Sequence, residues 1–198
     1  MKRKKISSAL NLSIVVMEIL ALLMALAETG RIGIEWYTEE SNILALFSSL
    51  FFVGYIVSGK KKLPAFLKWL KYTSTLGLTV TFLVTIFVLG PMYNFNYAWL
   101  LFHNNLIFHH LLCPIVAFIS FIYFDEVGKI EKKDTRLSII WTLGYAALMI
   151  VLNIVGVVDG PYPFLRVMSQ PVLVSAFWFV AIVGMAYLLS IGIRKIKR

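Results

Sequence analysis

Six stretches of the chain are apolar almost without interruption, at 6–27, 41–58, 73–89, 98–124, 137–158 and 172–193, with shorter polar or Gly/Pro-containing segments between them. Apolar runs of roughly 17–25 residues suit helices that cross a hydrocarbon core about 30 Å thick. In that core every backbone N–H and C=O must be bonded within the segment, which favours helices. The pattern predicts an all-α polytopic membrane protein, a bundle of six transmembrane helices that fills 1–198 as a single domain. It shows no period of roughly 20–50 residues and no low-complexity tract, which argues against a solenoid or a long linker.

The charges give the bundle a direction. All but two of the 19 basic residues fall in the N-terminal segment, the second and fourth loops and the C-terminal segment; Arg31 and Arg166 are the exceptions. Cytoplasmic loops carry the excess of Lys and Arg, so both termini are expected in the cytoplasm of a cell whose plasma or inner membrane holds the protein. The lysines from Lys60 to Lys71 read as a solvated loop with an aromatic anchor at Trp69. The first run follows a basic start and ends near Ala25 and Ala27, as a signal peptide would. It is longer than an ordinary signal core and carries Glu18, so it is read as a retained span.

Composition agrees with this picture, with 60% hydrophobic residues against about 45–50% in soluble domains. The net charge of +9 would suit nucleic acid if the basic residues formed one patch. Spread over alternate loops they do not, and no nucleic-acid partner is expected. Cys113 is the one cysteine, which excludes a disulfide framework and reads as packing.

Polar side chains inside spans are costly and usually face the bundle interior or a wet cavity. Thr38, Ser41 and Asn42 share one face at the outer end of the second span if its helix begins near Trp36. The fourth span carries His103, Asn104, Asn105, His109 and His110 ahead of Pro114, a site for a kink. On a regular helix Asn105 and His109 share a face, His103 and His110 share another, and His109 and His110 diverge by about 100°. The turn-rich fifth loop adds Asp159 and Tyr162 on the same outer side, and Glu18 lies mid-span within reach. These groups predict one outward-facing pocket. After His110 the polar residues largely stop, so the pocket reads as closed at the bottom. Singly, each has a plainer role, interhelical hydrogen bonding for Ser41, Asn42 and Asn104, or interfacial anchoring for Trp36 and Tyr162.

Three stretches in order, Trp36-Tyr37-Thr38 leading to Ser41-Asn42, then Asn105 and His109 ahead of Pro114, then Tyr162-Pro163-Phe164-Leu165, resemble the androgen-induced-protein and androgen-dependent TFPI-regulating protein family of transmembrane threonine hydrolases. The resemblance spans most of the chain. It implies hydrolysis of lipid esters of the fatty acid–hydroxy fatty acid type, with Thr38 as nucleophile and His109 as its base, and His110 as the competitor. Animal members carry Asp or Asn three positions after the threonine, where this chain has Ser41 followed by Asn42; that departure is similar to the bacterial branch.

A threonine hydroxyl needs a base to take its proton, and an ester oxyanion needs donors. Asn42, Asn105 or His103 are candidate donors, and Glu18 or Asp159 candidate partners for the base. The expected partner is a membrane lipid or lipid-like substrate, without cofactor or metal. On an unbroken fourth helix His109 lies about 16 Å of rise into its span, so contact with Thr38 requires tilt or an earlier start of the second helix. The competing reading is a small transporter or channel with a Glu/His polar path, for which polar residues would continue to the cytoplasmic side. A metal site at His103, His109 and His110 would need their rings on one face, which regular helix geometry opposes.

Overall fold

A computed structural model describes residues 2–197. It is a helical membrane bundle, with six helices long and apolar enough to cross a membrane. They are α1 (Lys2–Thr29), α2 (Tyr37–Val57), α3 (Ala65–Met92), α5 (Ile107–Phe124), α6 (Lys132–Ile154) and α7 (Val172–Ile196), with a short α4 (Tyr97–Phe102) ahead of α5. The central α3 packs against α2 and α5 on one side and against α6 and α7 on the other, while α1 closes the bundle against α2 and α5.

Apolar side chains cover the outside of the helices as well as filling part of the interior. On α1, Ser7, Asn11, Glu18, Ala21 and Ala25 face inward while Leu12, Val16, Ile19, Leu23 and Leu26 face outward. With lipid outside, apolar surface gains nothing by turning inward, and close approach of small or hydrogen-bonding residues holds helices together. The α2–α3 crossing follows that rule. Ser41 pairs with Thr81 at 2.8 Å and Ser48 with Ser74 at 2.9 Å. Gly77 brings the backbones so close that a Cβ there would lie 3.2 Å from that of Ser41.

Three spans differ from the sequence pattern in ways that matter. The second helix starts at Tyr37 rather than 41, which puts Thr38 in its first turn. The third begins at Ala65 rather than 73, so Lys68 and Lys71 sit on the helix instead of in a solvated loop. The expected continuous fourth span over 98–124 is broken. α4 ends at Phe102, Asn104 turns the chain with φ 43°, and α5 starts at Ile107. Asn is among the few residues that take this left-handed conformation readily.

Two wide π-helical turns, Thr85–Leu89 and Ile107–Leu112, end two residues before Pro91 and Pro114. Proline leaves the carbonyl four residues back without its donor, and a wider turn accommodates that loss. The second such turn carries both His109 and His110 into the interior. Both ends of the described chain meet at one end of the bundle, where Lys4 approaches Glu126 at 4.0 Å and Lys197 donates to the carbonyl of Asp125 at 2.6 Å.

Candidate functional site

The opposite end holds Thr38, in the first turn of α2, where amide N–H groups lack intrahelical partners. The Thr38 N–H donates to the hydroxyl of Tyr162 at 3.2 Å, and that hydroxyl is also 3.2 Å from Oγ1 of Thr38. Tyr162 reaches this position because the loop folds tightly on itself. Gly160 has φ 81°, and a Cβ there would sit 2.8 Å from the backbone of Leu165. The Pro163–Leu165 turn that follows stacks Phe164 on Tyr162 with ring centroids 5.1 Å apart, and Trp36 meets the Tyr162 ring edge-on at 5.2 Å. Burial pushes the Tyr162 phenol well above its ordinary range, so at neutral pH it is a proton donor.

The imidazole facing Thr38 belongs to His110, with Nε2 lying 3.4 Å from Oγ1. Its Nδ1 is 2.6 Å from the carbonyl oxygen of Leu100. A carbonyl only accepts, so Nδ1 carries the hydrogen and the neutral ring offers its Nε2 lone pair to the threonine hydroxyl. The expected contact of Thr38 with His109 is not made. The ring of His109 turns to α1, where Nε2 lies 3.4 Å from Oε2 of Glu18. The break before α5 shortens the path to the membrane surface, which places His110 level with the first turn of α2.

The remaining candidates separate by place. Asn42 donates to the carbonyls of Thr38 at 2.7 Å and His109 at 3.4 Å, tying the first turn of α2 to α5. Ser41 bonds the Thr38 carbonyl and Thr81, which is interhelical bonding. Asn105 keeps the face expected with His109, its Nδ2 standing 3.4 Å from Nδ1. His103 does not share a face with His110, because the helix is interrupted between them; it sits at the rim with Asn104 against Glu28. Asp159 is exposed and orients neither histidine. The three histidines thus have three different partners, and among the described residues no group of three His, Cys, Asp or Glu side chains is placed to hold a metal.

Two cavities meet at Thr38. The outer one, about 300 Å³, is lined by Trp36, Tyr93, Trp99, Leu100, Arg31 and Glu39 among others. The second, about 50 Å³, is an apolar slot between α3, α6 and α7 that includes Val84, Ile150, Phe164 and Trp178. Thr38, Leu89 and Tyr162 line both. The slot is narrow, and little of the α7 helix that walls it is buried within the bundle.

Below the site an apolar layer of Ile14, Ala45, Leu78, Cys113 and Ala117 fills the space between α1, α2, α3 and α5. Polar residues do not stop there, contrary to the sequence pattern. Beneath the layer Lys71, 1% exposed, faces the fully buried Asp125 at 3.4 Å. Ser7, Asn11 and Ser120 all donate to Oδ1 of that aspartate. This inner cluster was missed because Lys71 counts as a loop lysine by composition and Asp125 as a span end.

No protein-family model matches the chain, and no curated protein or solved structure matches it.

Proposed function

We propose that this is an intramembrane hydrolase of lipid esters, acting through acyl transfer to Thr38 with His110 as the base. The observation that carries the reading is the hydrogen-bond pattern at Oγ1. The threonine hydroxyl faces a buried imidazole whose other nitrogen is fixed as a donor, which is the arrangement an activated hydroxyl nucleophile requires.

In the forward step Oγ1 of Thr38 bonds to the ester carbonyl carbon as its proton passes to Nε2 of His110. The carbonyl oxygen becomes an oxyanion beside the Tyr162 hydroxyl and the positive end of α2. The C–O bond to the alcohol then breaks, and the alcohol leaves with the proton from His110. Water entering through the outer cavity, its proton taken by His110, attacks the acyl carbon; the bond from that carbon to Oγ1 then breaks as His110 returns the proton to Thr38, and the free acid is released. The acyl arm is directed into the apolar slot, while the alcohol arm occupies the roomier outer cavity. A two-armed, mostly apolar ester fits this division, in line with the fatty acid–hydroxy fatty acid esters that the resemblance to threonine hydrolases implies. The basic end of the bundle faces the cytoplasm of a bacterial cell and the site faces outward.

The apolar layer beneath Glu18 and His109 leaves the conduit reading without a continuous polar path. The test is labelling of the detergent-purified protein by a fluorophosphonate probe. The expected result is labelling of the wild type and its loss in Thr38→Ala and His110→Gln, both checked for folding. A folded wild type that takes no label, or label retained in Thr38→Ala, overturns the proposal and turns attention to ion flux in liposomes.

A further inference from the structure

His109 is a fully buried histidine for which the proposed reaction has no use, and its ring is held in the opposite sense to that of its neighbour. Where Nδ1 of His110 meets a carbonyl oxygen, Nδ1 of His109 meets the amide nitrogen of Asn105, a group that only donates. The lone pair of His109 is therefore on Nδ1 and its hydrogen on Nε2, which stands 3.4 Å from Oε2 of Glu18 without an aligned hydrogen bond. Neither Glu18 oxygen has an aligned hydrogen-bond partner, and the residue is wholly buried. A carboxyl group in such a place is costly unless a donor faces it, and the donors beside it are the His109 ring and the Cys113 thiol.

We infer that Glu18 and Asn105 are positioning residues which lock His109 in the Nε2–H tautomer and so leave His110 as the single base at Thr38. The inference rests on the reading of Thr38 and His110 as an acyl-transfer pair. Its geometric consequence lies in the π-helical turn Ile107–Leu112. Adjacent histidines on a wide turn can exchange places by a one-residue slip. The pairing of His109 with α1, together with the Asn42 clamp on its carbonyl, holds the register that aims His110 at Thr38.

The experiment is ¹⁵N NMR of full-length protein with ¹⁵N-labelled histidine in micelles. The chain has three histidines, so three rings are seen and are assigned with His103→Gln and His109→Gln. The expected wild-type spectrum shows Nδ1–H at His110 and Nε2–H at His109. Glu18→Gln, which keeps an acceptor, retains both signatures. Glu18→Leu turns the His109 signal into a tautomer mixture and slows fluorophosphonate labelling by about 10- to 100-fold, the scale of a small misplacement at a reacting centre, without changing the probe concentration at half-saturation. Should Glu18→Leu fail to fold, Asn105→Asp replaces the donor by an acceptor and is expected to move the His109 hydrogen to Nδ1. Wild-type His109 found with Nδ1–H overturns the inference, as does Glu18→Leu with tautomer and rate unchanged. If the wild type takes no label, the hydrolase reading fails on its own account. The tautomers then decide the positioning pair, with Nε2–H at His109 that depends on Glu18 upholding it and any other spectrum overturning it.

Discussion

At the basic end of the bundle Asp125 accepts hydrogen bonds from Ser7, Asn11 and Ser120 on one oxygen and faces Lys71 with the other, and Lys71 donates to Asn11 at 2.6 Å. At the opposite end Glu18 has no aligned hydrogen bond to either oxygen, the carbonyl oxygen of the Asn42 side chain has no partner, and a cavity of about 300 Å³ opens beside Thr38. Both regions bury charge-bearing side chains, yet Asp125 takes three donors on one oxygen and an ion-pair contact with Lys71 on the other, whereas neither Glu18 oxygen has an aligned donor and the larger cavity lies at the outer end. A buried polar network whose members satisfy one another specifies a packing arrangement. Unspent bonding capacity beside a cavity is what a ligand or a reaction can use. On the proposed function the inner cluster belongs to architecture and the outer one to chemistry.

The largest expected effect comes from breaking the inner cluster. Asp125→Leu leaves Lys71 buried without its counter-charge, a change that costs about 3–5 kcal/mol when one partner of a buried pair is removed. Thermal unfolding in detergent should show that loss, while labelling per folded molecule stays close to wild type because the apolar layer separates the two regions. Equal damage to labelling would mean that the regions are not independent.

Next is Tyr162→Phe, the mirror case. In the proposed reaction its hydroxyl helps hold the oxyanion, and removing one such donor lowers rates by about 10²–10³-fold. The stability cost of one hydrogen bond is only about 0.5–1.5 kcal/mol. A variant that labels at the wild-type rate would remove Tyr162 from the chemistry and return it to the role of interfacial anchor.

How far the sequence reaches is clear from these two sites. The number of spans is legible because long apolar runs separated by polar loops leave a one-dimensional record that does not depend on packing. Thr38 and Tyr162 are legible as neighbours in the outer group for the same reason, since each lies at a span end. Which histidine meets Thr38 is not legible. It depends on helical phase, and phase was lost twice, at the break around Asn104 and in the π-helical turn ahead of Pro114. Lys71 shows a different blindness. Counted with Lys60 to Lys68 it is one more cytoplasmic charge, and its burial depends on an earlier start of α3 and on Asp125 at the far end of α5. The small residues of the α2–α3 crossing were in plain view but carry no signal by themselves.

That crossing gives the third prediction. Gly77→Val adds bulk where a Cβ alone would lie 3.2 Å from Ser41 and 3.5 Å from the hydroxyl of Tyr37. Overpacking a tight contact costs about 1–3 kcal/mol. Since α2 carries Thr38, part of the displacement should appear as slower labelling, with Gly77→Ala milder in both respects. Unchanged unfolding and labelling in Gly77→Val would show that the helices separate freely there.

The smallest effect is a pH slope at the rim of the inner cluster. Lys197 lies just beyond α7 and donates to the carbonyls of Phe121 at 2.5 Å and Asp125 at 2.6 Å. Burial pushes its amine down to about 8, against the opposing pull of Asp125. In the unfolded chain a lysine titrates near about 10.4. Between those values the unfolded state binds more protons than the folded one, so the lysine's contribution makes stability rise with pH; below the folded value both states are protonated and the slope vanishes. Measured against Lys197→Met, wild-type stability should therefore gain as pH goes from 8 to 10. A difference that is flat or falls over that window would mean that Lys197 is as well solvated as an ordinary surface lysine. The closed character of the inner region would then end at Lys71 and Asp125 and not extend to the last turn of α7.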